Sequence, residues 1–107
     1  MNTYQVIITP EALEQLRAIE RYIAGASGYP MIAERYVDAL LSYCESLDMF
    51  PQRGTLRKDI RPGLRLVPYR DSAEIAFTID RDEVWIVGVF YGGQDYETAL
   101  QSAPEVP

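Results

Sequence analysis

The chain has 107 residues, 48% of them hydrophobic, and a formal net charge of −6, which is typical of one soluble domain with a modest core. No apolar run approaches the roughly 20 residues that cross a bilayer, and the N-terminus lacks the features of a secretory signal. Cys44 is the only cysteine and there is no histidine, so an intramolecular disulfide and the commonest neutral metal ligand are excluded. We therefore expect a cytoplasmic protein with no membrane segment, no metal and no other cofactor.

The basic residues are concentrated in one stretch of the sequence. Residues 1–50 carry three arginines against seven acidic residues, and residues 71–107 carry one arginine against eight. Residues 51–70, which we call the basic window, carry six basic residues against one aspartate. The basic window predicts a local surface for an anionic group or an acidic partner, although a solvated, arginine-rich loop would show the same pattern.

The first half of the chain predicts a strand and two helices. Residues 4–8 are rich in β-branched side chains, which favours a strand. One helix begins at Thr9-Pro10 and ends at Gly25 and Gly28, and a second runs from Pro30 to a stop at Pro51. Few residues join the helices, so they should form an antiparallel hairpin. Their apolar stripes should face the core: Leu13, Leu16, Ile19, Tyr22 and Ile23, then Ile32, Tyr36, Val37, Leu40, Leu41, Cys44 and Leu47.

The second half predicts a loop, three strands and a short helix. The loop covers residues 52–63, and the strand candidates are residues 64–69, 73–79 and 84–90. The last strand is nearly all apolar, as expected for a central strand buried on both faces. Residues 93–101 suggest a short helix, and residues 102–107 should fray. The order β-α-α-β-β-β predicts one α+β domain over residues 1–107, with its core at about 4–100 and a mostly antiparallel sheet packed against the N-terminal helical hairpin.

Six segments carry a family resemblance: Val6–Ala12, Tyr22–Ala24, Leu47–Gly54, Pro62–Arg65, Ala73–Ile79 and Val87–Glu97. In this order, over roughly residues 4–100, they are similar to the RelE/ParE superfamily of toxins from bacterial type II toxin–antitoxin systems. The third segment resembles the family's Phe-Pro-any-Arg-Gly turn, and the fourth its Gly-Leu-Arg element. Tyr91 and Gln94 stand where many relatives have His and Arg, and the chain looks nearer to the ParE branch.

The resemblance implies two alternative modes of action. A ParE-like toxin would inhibit DNA gyrase, with these candidate target-binding residues: Arg53, Arg57, Lys58, Arg61 and Arg65. A RelE-like toxin would cut messenger RNA on the ribosome, where Lys58, Arg65 and Tyr91 would stabilise charge and transfer protons as a ribose 2′-OH attacks phosphate. The departures at Tyr91 and Gln94 favour gyrase inhibition, or a family member without toxicity, over RNA cleavage.

The resemblance also implies a cognate antitoxin, whose disordered acidic C-terminal segment would fold on the toxin and give a hetero-oligomer. Its expected contacts are the helical hairpin and the sheet edge at Leu66, Tyr69 and Arg70. Two other candidate residues have structural alternatives. Arg65 would form a salt bridge to a carboxylate such as Glu74, and Tyr91 would be a partly buried aromatic residue. Cys44 and Trp85 are expected to fill the core, although Trp85 could instead be an exposed anchor for a partner.

Overall fold

The computed structural model describes residues 3–102. Of the tail that was expected to fray, residues 103–107 lie outside this range. The described elements are β1 Gln5–Ile8, α1 Pro10–Ser27, α2 Pro30–Glu45, a 3₁₀ helix Ser46–Asp48, β2 Thr55–Leu56, β3 Arg65–Tyr69, β4 Ala73–Asp80, β5 Glu83–Tyr91 and α3 Tyr96–Ser102. The predicted order is confirmed, with the two-residue β2 added inside the segment predicted as a loop.

The five strands form one sheet in the order β1-β5-β4-β3-β2. β1 pairs parallel with β5, and the other neighbours are antiparallel. The main core lies between one face of the sheet and the α1–α2 hairpin, which confirms the predicted α+β architecture. A smaller cluster on the opposite face packs Leu64, Leu66 and Phe90 against Leu100 of α3.

Local capping signals fix the ends of the two long helices. The Thr9 hydroxyl accepts a hydrogen bond from the Ala12 N–H at 3.2 Å and donates one to the Ile86 carbonyl at 2.8 Å, so the same side chain caps α1 and ties it to β5. α1 continues through Gly25 and ends at Gly28, which has a φ of 78°. Such a left-handed residue is the usual helix terminator.

A β-bulge in β5 changes which side chains face the helices. β4 and β5 pair residue by residue, except that Val87 has no partner between Ile86 and Gly88. Val84 and Ile86 therefore face the hairpin before the bulge, and Val89 faces it afterwards. β1 ends opposite Ile86, so the N–H of Val89 would be unpaired, but it donates to the Gln15 Oε1 of α1 at 2.7 Å.

Several predictions about burial are wrong. Leu13, Tyr22 and Ile32 are exposed. The stripe by which the hairpin contacts the sheet is narrower than the predicted apolar stripes, and its buried positions include the small residues Ala12 and Ala33. Trp85 and Val87 are only half-buried, since α3 covers little of the sheet face away from the hairpin. Trp85 thus does not fill the core, whereas Cys44 is fully buried there as expected.

Candidate functional site

Arg53, a predicted target-binding residue, caps the end of the helical hairpin. Its guanidinium donates hydrogen bonds to the carbonyls of Ser46 at 2.6 Å, Met49 at 3.1 Å and Phe50 at 3.2 Å. It also lies 5.9 Å from the centre of the Tyr43 ring. The Ser46 carbonyl also accepts a long hydrogen bond from the Met49 N–H, at 3.4 Å. The three carbonyls lie just after α2, where helical donors are scarce, so a cation there supplies hydrogen bonds and interacts favourably with the helix dipole.

The backbone conformation and close packing at position 54 explain why a glycine follows Arg53. Its φ is 75°, a conformation that other residues adopt at a cost. In addition, a Cβ at this position would collide with the carbonyl oxygen of Leu66 on β3. The turn after α2 therefore brings the backbone directly against β3 and starts the short strand β2.

Arg57, also predicted to bind the target, is held by two carboxylates of its own chain. It forms a two-pronged contact with Asp59 at 2.9 and 2.8 Å and reaches Glu97 of α3 at 3.2 Å. These hydrogen bonds raise the pKa of Arg57, and the guanidinium lowers the pKa of Asp59. Arg57 therefore fastens the loop to α3, and its charge is largely neutralised.

The remaining members of the basic window differ in how far they are engaged. The Arg61 guanidinium donates to the Leu100 carbonyl at 2.6 Å, which also connects the loop to α3. Arg65 is half-buried and makes one long hydrogen bond, 3.5 Å, to the Arg53 carbonyl. Lys58 and Arg70 are exposed, and Arg70 lies 4.9 Å from the centre of the Tyr69 ring. Within residues 3–102, the Lys58 ammonium makes no described contact.

The suggested salt bridge between Arg65 and Glu74 is wrong. Arg65 is paired with Phe77 and projects on the face that carries the hairpin, whereas Glu74 is paired with Pro68 and projects on the opposite face. The two side chains are separated by the sheet itself.

Tyr91 belongs to a row of tyrosines beneath the hairpin. Its ring lies 6.0 Å from that of Tyr22 and 5.5 Å from that of Tyr36, and Tyr36 in turn contacts Tyr69 at 5.9 Å. The Tyr36 hydroxyl is 2.6 Å from the Ser72 hydroxyl. Tyr91 is half-buried and also lines an adjoining cavity of about 330 Å³ between α1 and the end of β5.

Lys58, Arg65 and Tyr91 do not converge on one site. Tyr91 on β5 is paired with Ala73 on β4, which is paired with Tyr69 on β3. Arg65 lies four residues before Tyr69 on β3. Strand geometry places the Arg65 and Tyr91 Cα atoms about 16 Å apart, with the buried side chains of Val67 and Tyr69 between them. Lys58 lies beyond β2, farther from Tyr91 still.

The predicted antitoxin contacts lie at the exposed edge of the sheet. β2 pairs only with Arg65 and Leu66, so β3 is unpaired on that side from Val67 onward. The side chains of Leu66 and Tyr69 are buried. Leu66 is already paired with Thr55 of β2, so an incoming strand could reach the backbone of Tyr69 but not that of Leu66. The side chains of Pro68 and Arg70 are exposed along this edge.

Sequence reasoning missed an exposed apolar group beside Arg53. Met49, Phe50 and Leu56 are 38%, 71% and 44% exposed. Leu56 is paired with Arg65 on the hairpin side of the sheet, and Phe50 precedes the Arg53 turn with a φ of 52°. The Phe-Pro-any-Arg-Gly pattern contains Phe50, but the pattern alone does not tell whether this side chain is buried or exposed. That becomes clear only from the fold.

None of the helices within residues 3–102 is long and apolar enough to span a membrane. In the same range, no three or more Cys, Asp or Glu side chains are grouped so that they could hold a metal ion.

Comparisons with known proteins agree with this architecture. No curated protein sequence matches the chain. Among solved structures, a chain from the "Chromosomal ParDE TA system from P. aeruginosa" superposes with a TM-score of 0.72 at 19% identity, over 83% of this chain and 96% of that chain. Residues 6–96 match the family model described as "ParE toxin of type II toxin-antitoxin system, parDE". The chain therefore belongs to the ParE toxin family of type II toxin–antitoxin systems.

Proposed function

We propose that this toxin inhibits DNA gyrase by binding it, and that a cognate antitoxin neutralises it. The observation that carries the choice of target is the separation of Lys58, Arg65 and Tyr91. Cleavage of RNA needs a base, an acid and a cation around one phosphate, and these three side chains do not surround one point. Inhibition by binding needs only a surface.

The surface that we propose for the target is the corner formed by Met49, Phe50, Leu56, Lys58 and Arg65. Arg53 donates its hydrogen bonds to backbone carbonyls, and Arg57 is paired with carboxylates, so both hold the loop in place and have fewer donors free for a partner. Lys58 and Arg65 are less engaged and flank exposed apolar side chains. Aromatic and arginine side chains together are typical of the energetically dominant part of a protein interface.

The proposed antitoxin site is the hairpin and the unpaired edge of β3. A disordered segment can add a strand to such an edge or place a helix on apolar side chains. The exposed apolar residues of the hairpin tip, Tyr29, Met31 and Ile32, are 65%, 63% and 50% exposed, and Arg70 would meet an acidic tail. The two proposed surfaces lie at different ends of β3, so they can be separated by mutation.

The test is a DNA supercoiling assay with purified gyrase, run beside a translation extract in which message cleavage is read by primer extension. We expect gyrase to be inhibited and the message to stay intact. Arg65→Ala and Lys58→Ala should weaken inhibition, whereas Arg35→Ala, which removes an exposed arginine from α2, should not. Cuts at codon positions in the message, with gyrase unaffected, would overturn the proposal.

A further inference from the structure

A cavity of about 320 Å³ opens on the sheet face away from the hairpin. Its floor is a row of side chains from three neighbouring strands, because Pro68 pairs with Glu74 and Glu74 pairs with Phe90. Gly93, Gln94 and Tyr96 form one wall, and Arg70, Asp71 and Ser72 form the other. This cavity is separate from the proposed gyrase and antitoxin surfaces, apart from Pro68 and Arg70 at its rim.

Glu74 is the unusual member of this row. Its Oε2 atom is buried and has no hydrogen-bond partner within the described part of the chain. Burial also raises the pKa of the Glu74 carboxyl group. Buried carboxylate oxygens are nearly always paired, and an unpaired one requires an explanation, such as a ligand that supplies the missing donor.

The surroundings of Glu74 favour a particular kind of donor. The rings of Phe90 and Tyr96 lie 6.1 Å apart at an angle of 48°, and aromatic faces attract organic cations. Glu74 and Asp71 disfavour an anion, and a purely apolar group would leave Oε2 unpaired. Arg70 lines the rim, but its guanidinium lies over the Tyr69 ring at 4.9 Å, and Glu74 Oε2 does not bond to it.

We propose that the cavity binds an alkylguanidinium or alkylammonium group, with the half-buried Glu74 carboxylate as the hydrogen-bond acceptor and the Phe90 and Tyr96 rings beside the cation. Either a side chain of a bound peptide or a free organic cation could bring this group. The proposal does not depend on the identity of the toxin's target.

The experiment titrates the full-length protein with ethylguanidinium and follows the Glu74 carboxyl carbon and the Tyr96 ring protons by NMR. We expect saturable shifts and a lower Glu74 pKa in the presence of the cation. The neutral isostere ethylurea should give neither. Glu74→Gln should weaken binding by about tenfold, the loss of one charge-assisted hydrogen bond. Glu34→Gln, on the exposed face of α2, should leave it unchanged.

Two further variants keep the test decisive. If Glu74→Gln fails to fold, Tyr96→Leu removes the polar ring while retaining an apolar contact with Phe90, and it should also weaken binding. Arg70→Ala should bind ethylguanidinium at least as tightly as the wild type does, because it removes a positive charge from the rim of the cavity. Binding that appears only after Arg70→Ala would overturn the proposal, because the chain's own arginine would then be the occupant. Equal responses to ethylguanidinium and ethylurea, or no saturable response, would overturn it too.

The source of the cation is resolved by comparing agmatine with the peptide acetyl-Gly-Arg-Gly-amide. Both carry the same guanidinium. Tighter binding of the peptide would identify a protein side chain as the ligand, and tighter binding of agmatine a free cation.

Discussion

Replacement of Arg53 by alanine tests whether this residue is a structural cap or a contact for the target. The substitution removes three hydrogen bonds to carbonyls at the end of the hairpin and one contact with the Tyr43 ring. The Ser46 carbonyl would keep only its long hydrogen bond from the Met49 N–H at 3.4 Å, and water would have to replace the arginine donors. The hairpin end should then fray, and β2 and the loop behind it should loosen.

The magnitude follows from the geometry. A hydrogen bond from a charged donor contributes about 1.5–3 kcal/mol when well formed. Two of the three bonds are longer than 3.0 Å, the side chain is only half-buried, and ordering an arginine costs about 2 kcal/mol of side-chain entropy. The net loss should be about 2 kcal/mol in the free energy of unfolding, which lowers Tm by about 8 °C for a domain of this size.

Thermal unfolding followed by circular dichroism measures this loss. Lys58→Ala is the matched control, because it removes one positive charge from the same loop without removing any described contact, and its Tm should change by no more than about 2 °C. If Arg53→Ala also stays within that range, the capping role is refuted. Arg53 would then return to the set of residues available to a partner.

Four further outcomes are expected. The Cys44 thiol is buried and its pKa is raised to about 12, chiefly by desolvation, so at pH 8 it should react with a thiol reagent only as fast as the protein unfolds; immediate reaction would contradict its place in the core. Gly54→Ala should lower the free energy of unfolding by about 3 kcal/mol, because of the positive φ and the collision with the Leu66 carbonyl. Gly63→Ala should lower it by only about 1 kcal/mol, because φ is also positive there but the space is open. Equal losses in chemical denaturation would show that the collision is relieved without cost. Because burial raises the folded-state pKa of Glu74, its ionised form destabilises the fold, so Glu74→Gln should raise Tm at pH 7. The gain should shrink as the pH falls through the raised folded-state pKa and should be lost once the pH reaches the carboxyl's ordinary value; a gain that does not change with pH would mean that the charge is not responsible. Arg65→Ala should reduce gyrase inhibition by at least about tenfold and change antitoxin affinity, measured by calorimetry, by less than about twofold; equal toxicity of the mutant and the wild type would contradict this.

The helical hairpin was predictable because its signals are local. Thr9-Pro10 caps and starts α1, Gly28 ends it and Pro30 starts α2. Each of these residues acts on its own few neighbours, so the sequence alone contains the information. The short connection between β4 and β5 was similarly readable as a hairpin, whereas the order of the strands in the sheet came more from the family resemblance than from the local pattern.

The site was less predictable because its contacts are remote along the chain. The charge count of the basic window treated its arginines alike, yet Arg57 is paired with Asp59 and also with Glu97, forty residues away, and the second contact could not be read from the local sequence. The bulge at Val87 reverses the inward and outward alternation of β5, and no local pattern marks it. Glu74 was considered only as a salt-bridge partner for Arg65, because its partial burial depends on Pro68 and Phe90 from the two neighbouring strands.

The measurement that most directly tests the proposed mode of action is inhibition of purified gyrase by the wild-type toxin, with Arg65→Ala, Lys58→Ala and Arg35→Ala assayed in parallel. The account predicts that the wild type and Arg35→Ala block supercoiling at similar concentrations, that Arg65→Ala and Lys58→Ala require more protein, and that antitoxin restores activity. Unimpaired supercoiling at saturating wild-type toxin, accompanied by cleavage of messenger RNA in the translation extract, would contradict it.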